Sequence, residues 1–407
     1  MLLSKFEAMN NETTLLGWSN HVDGSASLLR MRGLKQFSTP AGRRMYMQTV
    51  GLLMMNCMGK GEEVPDFIEV LNGESIKYES PDDPGDRFYH LHIDVINFRA
   101  QVQRDKFPNL QAIVDRAVEL DAIAERTFEG LSADWGYEEI RPDFEIAGVF
   151  EKYYHVYAHM AAAQVWNWVR CSRVYLHDII RNTLLSGFST SPPVFVDAKY
   201  MYQLQNSTQL LHKMQADILA SIPQHLHDTP KNPVQSEIYF DLSTPSAQSS
   251  PSPPESSSPS PSSEEKFLWS NFSSQSSPLP GKAPSKTAVP KDQLPVIRVS
   301  GGYSSLWSVY IAGSMQMATP KSQEYVLKCL HRIATEFGIN QAKVLAGALQ
   351  VKMQLDATGK MPLKIVPEYM PLVGEHVEHW SDDWMNERIG TTCPSQIPEQ
   401  GLVEVLP

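Results

Sequence analysis

The apolar positions from Val326 onward fall at Val326, Leu327, Leu330, Ile333, Ala334 and Phe337, the spacing of one buried helix face. Thr319 and Pro320 stand just ahead of this run and Gly338 just behind it. A Thr side chain can satisfy an orphan N–H at a helix start, Pro has no N–H to leave unpaired, and Gly ends a helix readily. The same grammar recurs at Thr39 and Pro40, with Gly59 and Gly61 as the stop. Further helices are predicted at about 13–31, 86–104, 109–129, 143–186, 197–222 and 341–355. In "SGGYSSLWSVYIAG" (300–313) the residues Leu306, Trp307, Val309, Tyr310, Ile311 and Ala312 cover nearly every side of a helix. A helix apolar all round is a buried one, and Gly301, Gly302 and Gly313 would let neighbours come close. Strand signals are weak; "PPVFV" (192–196) sits beside prolines and reads as a connector. The expectation is an all-α architecture of packed helix pairs.

One segment breaks the pattern. Residues 243–295 are mostly Ser, Pro and small polar residues, too poor in apolar area to offset the entropy of ordering, and read as disordered. Within it, "KFLWSNF" (266–272) is an apolar island, either a short docking motif or a remnant without function. The tract carries Ser-Pro or Thr-Pro steps at Thr244, Ser250, Ser252, Ser258, Ser260 and Ser277, accessible positions for proline-directed phosphorylation, or else it is a passive spacer. The chain thus divides into residues 1–242 and 296–366, two parts of one helical domain, the insert 243–295 between them, and an irregular tail at 367–407.

Charge and cysteine usage narrow the function. A net charge of −11 argues against the whole chain being an electrostatic partner for nucleic acid or anionic membrane. Cys57, Cys171, Cys329 and Cys393 form no C-x-x-C pair and no disulfide framework, which suits a reducing compartment. No secretory leader is visible, and no run approaches the roughly 18 apolar residues of a membrane span.

Candidate chemistry is sparse. "GYSSL" (302–306) begins like a nucleophile elbow but ends in Leu306 instead of Gly. "GLLMMNCMGKG" (51–61) ends like a phosphate-binding loop but has the wrong spacing and lies in a predicted helix. His155 and His159 stand four apart in the predicted helix 143–186 and could share a face as zinc ligands. Histidines in such an aromatic run more often hydrogen-bond inside a core. His90, His92 and Asp94 form a second cluster, and "EHVEHW" (375–380) is one residue short of a metalloprotease helix and reads as a solvated segment or domain-edge contact. Arg30, Arg32, Lys35, Arg43 and Arg44 gather at one corner, as a nuclear-import or partner patch or as a solvated helix-turn-helix corner. No residue is assigned a catalytic, cofactor-binding or metal role, and neither cofactor nor enzymatic activity is expected.

Two blocks carry a family likeness. "LGWSNHVDGSASLLRMRGLKQFSTPAGRRMYM" (16–47) resembles the W-x-x-H-x-x-G-A-x-x-L-L-x-x-R-G block, followed by T-P-x-G-R-R, of the regulatory domain in fungal binuclear zinc-cluster transcription factors. The stretch from Gly301 to Lys352 is similar to that domain's C-terminal block, with Ser308 where the family usually has Pro. "VWNWVRCSRVYLHDIIR" (165–181) and "ILASIPQHL" (218–226) are similar to intervening segments, in family order. The resemblance implies a nuclear transcription regulator, for instance of a metabolic or secondary-metabolite gene cluster. Its partners would be other transcription factors, co-regulators or a second copy. The family reads DNA through six closely spaced cysteines and a basic linker; this chain has neither, so direct DNA binding is not expected of it. Met1 falls inside the regulatory domain, as in a truncated product or a regulator acting through partners. The alternative is a helical small-molecule-binding protein or enzyme with an aromatic pocket.

Overall fold

A computed structural model describes residues 2–11, 14–80, 83–227, 229 and 296–358. The insert, "KFLWSNF", "EHVEHW", Cys393 and the tail 367–407 lie outside the described residues. The protein is all-α. Its helices are α1 (Leu2–Asn10), α2 (Leu16–Arg32), α3 (Pro40–Lys60), α4 (Phe67–Ser75), α5 (Pro84–Gln103) and α6 (Leu110–Glu125). After a hairpin of β1 (Tyr137–Ile140) and β2 (Tyr154–Tyr157) come α7 (Met160–Phe188), α8 (Ala198–Ser221) and the single turn α9 (Pro223–Leu226). The last three are α10 (Val296–Ser314), α11 (Pro320–Glu336) and α12 (Gln341–Thr358).

Local chemistry sets many of these boundaries. Thr39 is extended and its side chain accepts from the Gly42 N–H, with Pro40 opening α3; Gly61 closes it at φ 66°, a left-handed conformation that costs Gly little. Thr319 and Ser322 form a reciprocal capping box at α11. At α5 the Asp83 side chain accepts from the Gly85 N–H, and at α6 the Asn109 side chain accepts from the Ala112 N–H. The predicted helix 143–186 is corrected: its first part holds β2, which pairs antiparallel with β1 in the register Tyr137 to Tyr157, and α7 begins only at Met160. Three short helices, α1, α4 and the single turn α9, are additions to the predicted set.

Three large apolar clusters fill most of the interior, beside a small fourth one of Tyr157, Ala162 and Ala163. One joins α2, α3, α4 and α5 around Trp18, Val22, Tyr46 and Val50. Another joins α5, α6 and α7 around Val95, Leu120 and Ile180, with Phe195 of the "PPVFV" connector inserted into it. The largest combines Cys171, Val174, Leu211 and Ile218 of α7 and α8 with Leu306, Val309, Leu330 and Leu345 of α10, α11 and α12. The segment 296–358 therefore shares one core with the residues before the insert. A Cβ on Gly302 would lie 2.4 Å from the Phe337 ring and one on Gly313 2.8 Å from Val326, which is why α11 can approach α10 so closely.

Candidate functional site

The histidines read from sequence do not assemble into a metal centre. His155 lies on β2 and His159 is the N-cap of α7, where its Nδ1 accepts from the Ala162 N–H at 3.1 Å. The shared helical face expected of them does not form. His155 is fully buried beside Arg170, and burial with that guanidinium pushes its pKa down to about 3. His90 pairs with Glu79 at 2.7 Å, and that hydrogen bond raises its pKa. His92 instead faces inward, 3.1 Å from the Ser172 hydroxyl and stacked on Phe88, and burial lowers its pKa to about 3. Asp94 approaches Arg116 at 4.0 Å. Among the described residues no group of three His, Cys, Asp or Glu is placed to hold a metal ion.

The other motifs resolve into helix. Ser305 of "GYSSL" lies within α10 and donates to the Gly301 carbonyl at 2.8 Å. Cys57, Cys171 and Cys329 are buried, and burial pushes each thiol up to about 12, so none is a ready nucleophile. Of the basic corner, Arg43 turns inward: its Nη1 donates to the Phe37 carbonyl at 2.9 Å and its guanidinium stacks on Tyr78 at 4.4 Å. Arg30, Arg32, Lys35 and Arg44 remain exposed.

Two polar constellations were not legible in the sequence, because their members come from different elements. Arg170 is 2% exposed. It donates to the Tyr157 hydroxyl at 2.6 Å and to Asn167 Oδ1 at 3.1 Å, and its guanidinium lies among Tyr137, Tyr157 and Trp166. Asp217 Oδ2 lies 3.9 Å from its Nε. Farther along α7, His177 Nδ1 is 3.0 Å from Ser207 Oγ, and its Nε2 is 3.1 Å from Asp121 Oδ2. Ser, His and Asp in that order suggest nucleophilic catalysis. Here, however, Ser207 is fully buried between α7 and α8 and already accepts from Gln203, while Arg173 holds both Asp121 oxygens. The trio ties α6, α7 and α8 together and offers no face to a substrate.

The three large apolar clusters meet at an aromatic junction. Trp168 and Tyr175 of α7, Trp307 and Tyr310 of α10, and Met55 and Met58 of α3 line a crevice with room of about 20 Å³, enough for one water. Trp18 of α2 packs on Trp307 with ring centroids 6.2 Å apart. Arg99 caps the crevice from α5, donating to the Met58 carbonyl at 2.7 Å and lying 4.9 Å from the Tyr175 ring. A broader, open depression of about 370 Å³ runs along the start of α8 between Ala198 and Gln205, with exposed Met201 and Tyr202 and no converging ionisable groups. No protein-family model, curated protein or solved structure matches the chain.

Proposed function

We propose that the chain is the regulatory part of a transcription regulator of the fungal binuclear zinc-cluster type, working in the nucleus without catalysis of its own. The observation that carries this reading is the meeting of Trp18 with Trp307. The two blocks that resemble the family most lie at opposite ends of the described chain, yet their tryptophans pack together. The third block supplies Trp168 and Tyr175 to the same junction. Segments chosen for their likeness in sequence thus share one structural role, as the blocks of a single module should. The pocket alternative has less behind it. The aromatic crevice offers about 20 Å³, against roughly 300–1,000 Å³ for sites that take drug-sized ligands, and the depression of about 370 Å³ at the start of α8 is open and has no converging ionisable groups.

Tethering the full chain to a promoter through an unrelated DNA-binding module should change reporter output, and a fluorescent fusion should concentrate in the nucleus. An unchanged reporter together with exclusion from the nucleus would overturn the reading. The isolated chain should show no sequence-selective DNA binding in a gel shift at physiological salt.

A further inference from the structure

The corner where α2 turns into α3 is a basic and apolar surface in an acidic protein. Between Gly24 and Gly61 the sequence has six Lys or Arg and no Asp or Glu, although the chain as a whole carries −11. Arg43 and Lys60 of these six are engaged, one with a backbone carbonyl and the other with Asp23. Arg30, Arg32, Lys35 and Arg44 are exposed, and none forms an ion pair with a carboxylate among the described residues. Four large apolar side chains stand exposed beside them: Leu28 at 59%, Met31 at 82%, Leu34 at 51% and Met45 at 48%. Leu28, Met31 and Arg32 follow one stripe of α2, and Arg32 Nη1 reaches Met45 Sδ at 3.7 Å, which joins that stripe to α3. Exposed cations alone suit any anion. Interleaved methionines and leucines suit a peptide that brings apolar side chains with its negative charge.

This chain contains such a peptide. Residues 368–387 carry Glu368, Glu375, Glu378, Asp382, Asp383 and Glu387 and no Lys or Arg, with Trp380, Trp384 and Met385 among them. The insert is a poorer match, since in 243–295 four Lys balance four Asp or Glu. The tail follows the far end of α12 at Thr358, about 27 Å along that helix from Gln341. The 17-residue α2 is about 25 Å long. The 16 residues between Thr358 and Glu375 would reach at most about 55 Å if fully extended, so the length of the chain permits the contact. We propose that residues 368–387 dock intramolecularly on the Leu28–Met45 corner, with the tail carboxylates on Arg32, Lys35 and Arg44 and the tryptophans on Met31 and its apolar neighbours. This does not depend on the regulatory reading of the chain.

Zero-length carbodiimide cross-linking of the full chain, followed by mass-spectrometric mapping of the monomer fraction, tests it. Lys35 is the corner's only exposed lysine and should link to carboxylates within 368–387. The link should weaken from about 0.1 M to about 1 M salt, as the screening length falls from about 10 Å to about 3 Å. It should be lost in the Arg32→Glu, Arg44→Glu variant at an unchanged melting temperature, both positions being exposed. Adding Asp382→Arg and Asp383→Arg to that variant should restore it. Absence of any Lys35 link to 368–387 at the lower salt, links confined to a dimer fraction, or links undiminished in the double Glu variant would each overturn intramolecular docking.

Discussion

A Cβ on Gly42 would sit 1.9 Å from the Gln36 carbonyl oxygen, and the next residue, Arg43, is buried against Tyr78. The T-P-x-G-R-R run therefore acts architecturally: Thr39 caps, Gly42 lets the preceding turn close, and Arg43 satisfies the Phe37 carbonyl. Gly42→Ala should lower stability by about 1–3 kcal/mol through overpacking, read from chemical denaturation; an unchanged midpoint would refute the close-packing argument. The cap was legible because its partners lie within one turn. The inward turn of Arg43 was not, because Tyr78 comes from far along the chain. Burial also sets how single residues respond to pH. His92, His155 and His225 have folded pKa values of about 3, 3 and 4, far below the ordinary histidine value. Asp86 and Asp178 are pushed up to about 8 and about 7, also by burial. As pH falls from about 8 to 6.5 the folded state gains protons on the two aspartates that the unfolded chain does not bind, so stability rises. Below about 6.5 the unfolded chain protonates three histidines that the fold keeps neutral, and stability falls. Thermal melts should therefore peak near pH 6.5, and Asp178→Asn should flatten the alkaline side of the peak. A stability that climbs steadily from pH 6.5 to 8 would contradict the assigned burial of both carboxyls.

Among the elements, the long helices were readable because periodicity and caps agree, and α3 and α11 match their predicted starts. The hairpin was hidden. Each strand is only four residues long, too short to display a period of two, and β2 finds its partner at residues 137–140 across an irregular loop. Tyr153 to Tyr157 is rich in aromatic residues that fit a pleated, half-buried surface, the one local sign that the helix did not extend so far back. Helix α10 is the element on which the fold turns. It runs unbroken through Ser308, which is fully buried in its interior. Proline at that position would remove a backbone donor and clash with the preceding turn, so Ser308→Pro should cost about 3 kcal/mol or more. Leu306→Ala, at a fully buried site, should cost about 2–5 kcal/mol. Circular dichroism melts on both variants decide this. A Ser308→Pro protein as stable as the parent would mean that α10 already bends there and would contradict an unbroken α10.

At the level of the whole molecule, an apolar helix so close to the insert could not be left in water, and its sequence therefore implied a partner surface earlier in the chain. Which surface was not readable, since the contacts of α10 with α7 and α8 span the insert, as between Gln215 and Ala312, 97 positions apart. The structure supplies polar ties along with the shared core. Gln215 Nε2 donates to the Ala312 carbonyl at 2.7 Å, Tyr325 donates to the Gly148 carbonyl at 2.8 Å, and Arg181 donates to Gln316 at 3.0 Å. A lysyl endopeptidase has Lys266, Lys282, Lys286 and Lys291 available as targets in the insert's sequence. Cleavage there removes one covalent link and none of these contacts. The two fragments should therefore co-elute in size-exclusion chromatography at the volume of the intact chain and come apart only in denaturant. Leu306, Val309 and Ile311 explain why: released from α7 and α8 they would face water, at about 1.5–3 kcal/mol for each fully exposed side chain. Fragments that separate after cleavage, each with a cooperative melt of its own, would show two domains and contradict a core built from both.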